Sequence, residues 1–385
     1  MTRLYLVIAA VLAILALFVI NAALFGSAEP QVRARLVAQV QPSSGFTRAM
    51  GPRSFEFPAD HGPHPDYQTE WWYYTGNLEV ADGRHFGYQL TFFRSALLPA
   101  SERQQRLSQW ATDQVYMAHL ALTDVDAGQH HAFERFSRGA AGLAGAQSSP
   151  YQVWLENWEV EGLGPSEYHL SASANGIEID LQLLDKKGSV LQGEAGFSQK
   201  GSEPGNASYY YSLTRMATGG TIRVDDRAYA VEGLSWMDHE YSTSALGADL
   251  VGWDWFSVQL DDGSELMVYQ LRRADGSADP FSNGSFIDAN GQKSQLGPVG
   301  FNLAVASFWT SPHSGATYPS GWTLEVPSAD LTLELVPYLA DQELDLNFVY
   351  WEGAVRVSGQ RAGRAVGGNG YVELTGYAET MQGRF

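Results

Sequence analysis

The run Asp238-His239-Glu240-Tyr241 sets an imidazole between two carboxylates and ends on a phenol, groups that can pass protons near neutral pH. Further along, Asp254 stands between Trp253 and Trp255. On a strand its carboxylate points away from the face carrying both indoles. A carboxylic acid among apolar walls keeps its proton above its usual range and can deliver it to a carbon–carbon double bond without competing water. Asp238, His239, Glu240 and Asp254 are therefore the candidate catalytic residues, with Asp254 or Glu240 the expected partner of His239. The same run also suits a hydrogen-bonded corner that pins neighbouring segments.

A second set precedes it in the stretch Phe57-Pro58-Ala59-Asp60-His61-Gly62-Pro63-His64-Pro65-Asp66. Its histidines and carboxylates offer nitrogen and oxygen ligands of a kind that transition metals accept. Asp60 capping a turn, with His61 and His64 fixing the loop through hydrogen bonds, accounts for the same residues, so no metal and no cofactor are expected. The aromatic residues Trp71, Trp72, Tyr241, Trp253, Trp255 and Tyr269 are the candidate ligand contacts; Trp71 and Trp72, being adjacent on a strand, cannot line the same cavity. The sequence has no Gly-X-Ser-X-Gly elbow, no His-Glu-X-X-His helix and no Gly-rich phosphate loop, so the familiar hydrolase and nucleotide signatures are missing. With no cysteine, disulfides, thiolate nucleophiles and Cys-type zinc sites are also excluded.

The elements that must position these groups are hairpins. Glu70 to Tyr74 and Tyr88 to Leu90 flank the turn Asp82-Gly83, where Gly supplies the positive φ of a tight turn. The pattern returns as Trp253 to Phe256, Asp262-Gly263 and Tyr269-Gln270-Leu271, offset by about 178 residues at the Asp-His pairs and about 181 at the Tyr-Gln-Leu triplets. This is an internal duplication, and it should place Asp60-His61 and Asp238-His239 at equivalent corners, with Trp71 and Trp253 equivalent. A chain of 385 residues also exceeds what one core usually organises. Two domains are expected, 46–222 and 223–385, with the boundary between about Thr218 and Gly233. Aromatics at 12%, charged residues at 17% and 40 glycines favour an all-β, turn-rich chain of short antiparallel strands in a barrel or sandwich.

A net charge of −19 repels nucleic acid and anionic headgroups. Nucleic acid is not an expected partner. Residues 1–28 read as a signal anchor or signal peptide, because Leu4 to Ile20 is apolar and near the length that spans a bilayer. Membrane retention through that helix and an envelope location, periplasmic or secreted, follow as expectations. Residues 29–45 read as a linker.

Several motifs in order, FPADHGPHPDYQTEWWYYTGNL, YYYSLTRMATGG, SWMDHEYSTSALGADLVGWDWFSVQL and GYVELTGY, resemble the signatures of the AttH-like, or carotenoid hydratase-like, family. The resemblance covers about Phe55 to Gly376. It implies two tandem lipocalin-like β-barrel domains in an exported bacterial protein, commonly associated with a transport system, and one branch that hydrates carotenoids through a His in the position of His239. Tyr241 stands where that branch favours Trp, which argues against carotenoid hydration here. Two functions are expected on this basis: an envelope protein that binds an apolar small molecule or lipid, serving a membrane transporter, or a lyase or hydratase acting on an isoprenoid or similar lipid through the His239 cluster. A buried acid beside a ligand-sized cavity discriminates them, because binding alone does not require one.

Overall fold

The computed structural model describes residues 45–104, 107–243, 246–247 and 249–382, all within one compact unit, Ala38–Phe385. The expected leader at 1–28 lies outside the described residues. No helix among those described is long and apolar enough to cross a membrane.

The chain is nearly all antiparallel strand. The first sheet contains β1 (Thr69–Glu79), β2 (His85–Ala96), β3 (Gln114–Asp124), β4 (Gln129–Arg138), β5 (Ala144–Ser148), β6 (Tyr151–Leu155), β7 (Trp158–Gly162), β8 (Glu167–Ala174) and β9 (Ile177–Asp185). It continues with β10 (Ser189–Leu191), β11 (Phe197–Gln199), β12 (Ala207–Val224) and β13 (Arg227–Ser242). The second sheet contains β14 (Leu250–Leu260), β15 (Glu265–Arg273), β16 (Asn283–Ile287), β17 (Lys293–Leu296) and β18 (Asn302–Val305). After the small pair β19 (Phe308–Thr310) and β20 (Thr317–Pro319), it resumes with β21 (Trp322–Val326), β22 (Leu331–Pro337), β23 (Glu343–Asp345), β24 (Val349–Arg361) and β25 (Arg364–Leu374).

The duplication is visible as strand order. The first sheet runs β4-β3-β2-β1-β13-β12-β9-β8-β7 before its extra strands β6 and β5, and the second runs β17-β16-β15-β14-β25-β24-β22-β21-β18. The two orders match strand for strand, with β25 the counterpart of β13. Three expectations therefore change. The change of sheet falls between Ser242 and Leu250, later than the boundary expected near 222, because β13 is needed to pair with both β1 and β12. Asp238-His239-Glu240 is not a corner before a hairpin but part of β13 itself, near its C-terminal end, where Trp72 pairs with His239. Counting back from the hairpin pairs Glu79↔His85 and Gln259↔Glu265 makes Tyr73, rather than Trp71, the counterpart of Trp253.

Alternation along the strands builds three cores. Trp72, Tyr74 and Leu78 of β1 join Phe86, Tyr88, Leu90 and Phe92 of β2 inside the first barrel-like sheet. Phe256, Val258 and Leu260 of β14 join Trp322 and Trp351 inside the second. Residues of the opposite parity, Tyr73, Tyr210, Trp236, Trp255, Tyr269 and Tyr371, fill the space between the sheets. The sheets approach so closely at Gly87 that an added Cβ would stand 2.5 Å from that of Ala354. Lys187 ties the two together by donating to Glu265 Oε2 at 2.7 Å, and Arg215 pairs with the same carboxylate.

Candidate functional site

Because β13 alternates, neighbouring residues of the predicted catalytic run serve different interiors. Asp238, Glu240 and Ser242 face a cavity between the sheets, together with Trp71, Trp253, Trp255 and Tyr269. His239 and Tyr241 face the first barrel's side of the strand, as does Trp72 on β1. Asp254 points into the second sheet, where Tyr377 donates to it at 3.0 Å, and it does not line the cavity.

The cavity measures about 140 Å³. One water needs roughly 10–15 Å³ on the same scale, so there is room for an organic molecule. Its wall is largely aromatic and aliphatic, with Phe93, Leu271 and Phe348 adding to the tryptophans. Into this wall project three carboxylates and one cation. Asp238, 4% exposed, accepts at Oδ1 from Ser212 (2.5 Å) and Trp236 Nε1 (2.7 Å), and at Oδ2 from the Tyr210 hydroxyl (2.5 Å). Trp255 Nε1 in turn donates to the Tyr210 oxygen at 3.1 Å. Burial pushes the Asp238 carboxyl up to about 7, against the pull of these hydrogen bonds and with the help of nearby Glu240. Glu373 on β25 accepts from Trp253 Nε1 at 2.8 Å, and burial, reinforced by Asp238 and Glu240, pushes it too up to about 7. Glu240 is paired with Lys200 Nζ at 3.2 Å, and that ammonium lies 4.0 Å from the Tyr269 ring centre. Behind the wall, Glu352 sits opposite Glu373 on the neighbouring strand, receives the Tyr73 hydroxyl, and is held well above the usual carboxylate range by burial and by Glu373.

The other face of β13 carries a different assembly. His239 Nε2 donates to Glu70 Oε1 at 2.8 Å, so its carboxylate partner is neither Asp254 nor Glu240. Glu70 also accepts from His64 Nδ1 (2.8 Å), from the His64 backbone N–H (3.0 Å) and, at Oε2, from Arg94 Nε (2.8 Å). Burial alone would raise Glu70, but the Arg94 charge and the histidine hydrogen bonds hold it well below its usual range. His64 is pushed up by Asp60 and Glu70 on its two nitrogens despite its burial, while burial pushes His239 down. A neutral His239 bonded to an ionised Glu70 must accept at Nδ1, and the donor there is Tyr211 at 3.0 Å. Tyr211 then accepts from His61 Nδ1 at 2.7 Å. Asp60, His61 and His64 thus converge with His239 in one network, from the short turn Ala59–His61 and the loop after it.

His64, Glu70 and His239 present ligand atoms within 4.8 Å of one another. The oxygen they would share is already occupied by three N–H donors, and Arg94 neutralises its carboxylate. The donor chemistry is that of an ion-pair hub, not of a free ligand set.

Sequence reasoning named the cavity's tryptophans but missed Glu373, Tyr210, Ser212 and Lys200, and on the other face Glu70, Arg94 and Tyr211. Applying to Asp238-His239-Glu240 the alternation already applied to Asp254 would have separated His239 from its neighbours; reading the run as a corner concealed this.

A family model described as AttH-like matches residues 48–377. A crystal structure of a Nitrosomonas europaea protein provisionally named AttH is 34% identical, with a TM-score of 0.76, covering 86% of this chain and 100% of that one. Kievitone hydratase from Nectria haematococca is 15% identical with a TM-score of 0.64, covering 87% of this chain and 96% of that one, a likeness of fold. No protein of curated function matches the chain.

Proposed function

The chain belongs to the AttH-like family, and from that premise we propose that the cavity between its sheets performs acid–base chemistry on a neutral, largely apolar molecule: hydration of a carbon–carbon double bond, or the reverse elimination. The observation that carries this reading is Asp238, a nearly inaccessible acid with proton affinity near neutrality, set in an aromatic wall. Binding an apolar molecule requires the wall alone and would be served better without the acid.

Burial pushes both Asp238 and Glu373 up to about 7, and the Asp238 charge helps to raise Glu373, so the two can serve as acid and base around one cavity. In the forward direction, the protonated acid gives its proton to one alkene carbon, and the electron-deficient carbon that results faces indole and phenol rings. Water adds to that carbon and its surplus proton passes to the second carboxylate, leaving an alcohol and an enzyme whose proton has moved from Asp238 to Glu373; its return to Asp238 completes the cycle. Glu240 and Lys200 neutralise one another at the cavity edge and favour an uncharged substrate. His239, the residue first expected to act, lies on the far side of the strand and reaches neither cavity nor substrate. The envelope location and the leader at 1–28 remain part of the proposal, since an apolar alkene is most available at a membrane.

The test is incubation with isoprenoid alkenes such as farnesol and squalene in ¹⁸O-labelled water, with products weighed by mass spectrometry. Incorporation of one labelled oxygen, abolished in Asp238→Asn and retained in His239→Gln variants that fold, supports the reading. Incorporation unaffected by Asp238→Asn overturns it.

A further inference from the structure

Asp238 Oδ1 is the end of a buried relay that starts in the other sheet. Ser285 on β16 donates to Gln192 Oε1 at 2.7 Å, Gln192 Nε2 donates to Ser212 Oγ at 2.9 Å, and Ser212 donates to Asp238 Oδ1 at 2.5 Å. Ser285, Gln192 and Ser212 are all fully buried. The direction follows from the ionised carboxylate, which can only accept: Ser212 must donate to it, the Ser212 oxygen then accepts from the Gln192 N–H, and the amide oxygen accepts from Ser285. The Gln192 segment is held from both sides. Its backbone N–H donates to Tyr210 O at 2.9 Å, and Lys293 Nζ of β17 grips the carbonyls before and after it, Leu191 at 2.6 Å and Gly193 at 2.8 Å.

We infer that Gln192, acting through Ser212, is a positioning residue that keeps Asp238 Oδ1 an acceptor and confines the transferable proton to Oδ2. Oδ1 faces the Trp236 indole N–H, a donor that cannot reverse, and Ser212, whose hydroxyl the Gln192 amide orients as a second donor. Among the described residues the hydrogen bond to Oδ2 comes from Tyr210, whose hydroxyl can turn to accept. The acid proton therefore sits on one oxygen, beside the Tyr210 and Trp255 that line the cavity, and a substrate can be protonated from one direction only. The relay makes the second sheet responsible for the geometry of an acid carried by the first. This inference rests on Asp238 being the acid, but the placement of its proton can be measured without any substrate.

The experiment is a pH titration of the full chain labelled with ¹³C-aspartate, followed by infrared difference spectroscopy, with the Asp238 band assigned by its loss in Asp238→Asn. Ser212→Ala removes a donor to the ionised form and should move the Asp238 midpoint upward by about one pH unit. Gln192→Met, which keeps the side chain's length, should move it upward by less and split or broaden the protonated carboxyl band as the proton reaches both oxygens. Glu240, Glu373, Lys200 and Tyr210, which face the same acid, are left in place by both changes. A midpoint and band unchanged in Ser212→Ala and in Gln192→Met, with only the melting temperature lowered, overturn the inference. Shifts as described in both, together with ¹⁸O incorporation that survives Asp238→Asn, uphold the proton placement and defeat the hydration reading instead.

Discussion

The two faces of β13 hold buried carboxylates under opposite rules. Glu70, packed against one face, has nitrogen donors, one of them the Arg94 guanidinium, and is held ionised. Asp238, on the other, has two hydroxyls and an indole and is pushed up to about 7. Both are almost wholly buried, so burial does not decide the charge. The partners do: a full positive charge repays desolvation, and neutral donors repay only part of it. An ionised hub fixes structure, while an acid poised near neutrality can exchange its proton.

The largest break in this contrast should come from Arg94→Met. It leaves Glu70 buried without its counter-charge, a loss of about 3–5 kcal/mol by chemical denaturation at pH 7. Asp238→Asn keeps the shape and most hydrogen bonds, and should cost far less. Equal losses from the two would show that the faces do not differ in kind.

The pH dependence should separate them further. Glu70 has a depressed folded pKa, so its stabilisation is present above the ordinary carboxylate range and lost as pH falls through and below it. Asp238 has a raised one, so the folded state binds more protons than the unfolded between about 4 and 7, and stability is lost as pH rises across that window. Asp238→Asn should therefore gain on the wild type from pH 4 to pH 8, by about 1–3 kcal/mol in unfolding midpoints. A difference that is constant with pH would refute the raised proton affinity.

The pairing of acids sharpens the cavity side. Replacing Glu373 with Gln removes a like charge from Asp238, and the Asp238 midpoint should fall by about half to one pH unit in the same infrared titration. A rise would mean that the two carboxyls do not face one another electrically.

What the sequence disclosed follows the same division. Hairpin turns, strand alternation and the repeat are local signals, and they gave two matching sheets and the aromatic wall of Trp71, Trp253, Trp255 and Tyr269. The partners of His239 and Asp238 are not local. Glu70 reaches His239 only because β1 pairs with β13 in a register that brings Trp72 opposite His239, and Glu373 enters the cavity from a strand at the far end of the chain. The repeat itself misled at one point, since an Asp-His pair before β1 and another inside β13 look equivalent in sequence and are brought into one network by the fold. Residues 1–28, where the sequence expects a membrane segment, lie outside the described structure.

The smallest expected effect tests whether β13 insulates its two faces. Trp255 Nε1 donates to Tyr210, whose hydroxyl donates to Asp238, and the indole also packs edge-on against Tyr73 with ring centres 5.1 Å apart. Trp255→Phe retains an aromatic ring but removes the N–H, leaving Tyr210 a weaker donor. The loss should be about 1 kcal/mol, and the Asp238 midpoint should drift slightly upward because its carboxylate is less well satisfied. Nothing in this change touches Glu70, whose donors come from Arg94, His64 and His239. The ¹⁵N resonances of His239 should therefore stay where they are in the wild type, with Nε2 protonated toward Glu70 and Nδ1 accepting from Tyr211. A movement of those resonances comparable to the change at Asp238 would show that the strand transmits charge between its faces, and the acid and the hub would then have to be treated as one coupled system.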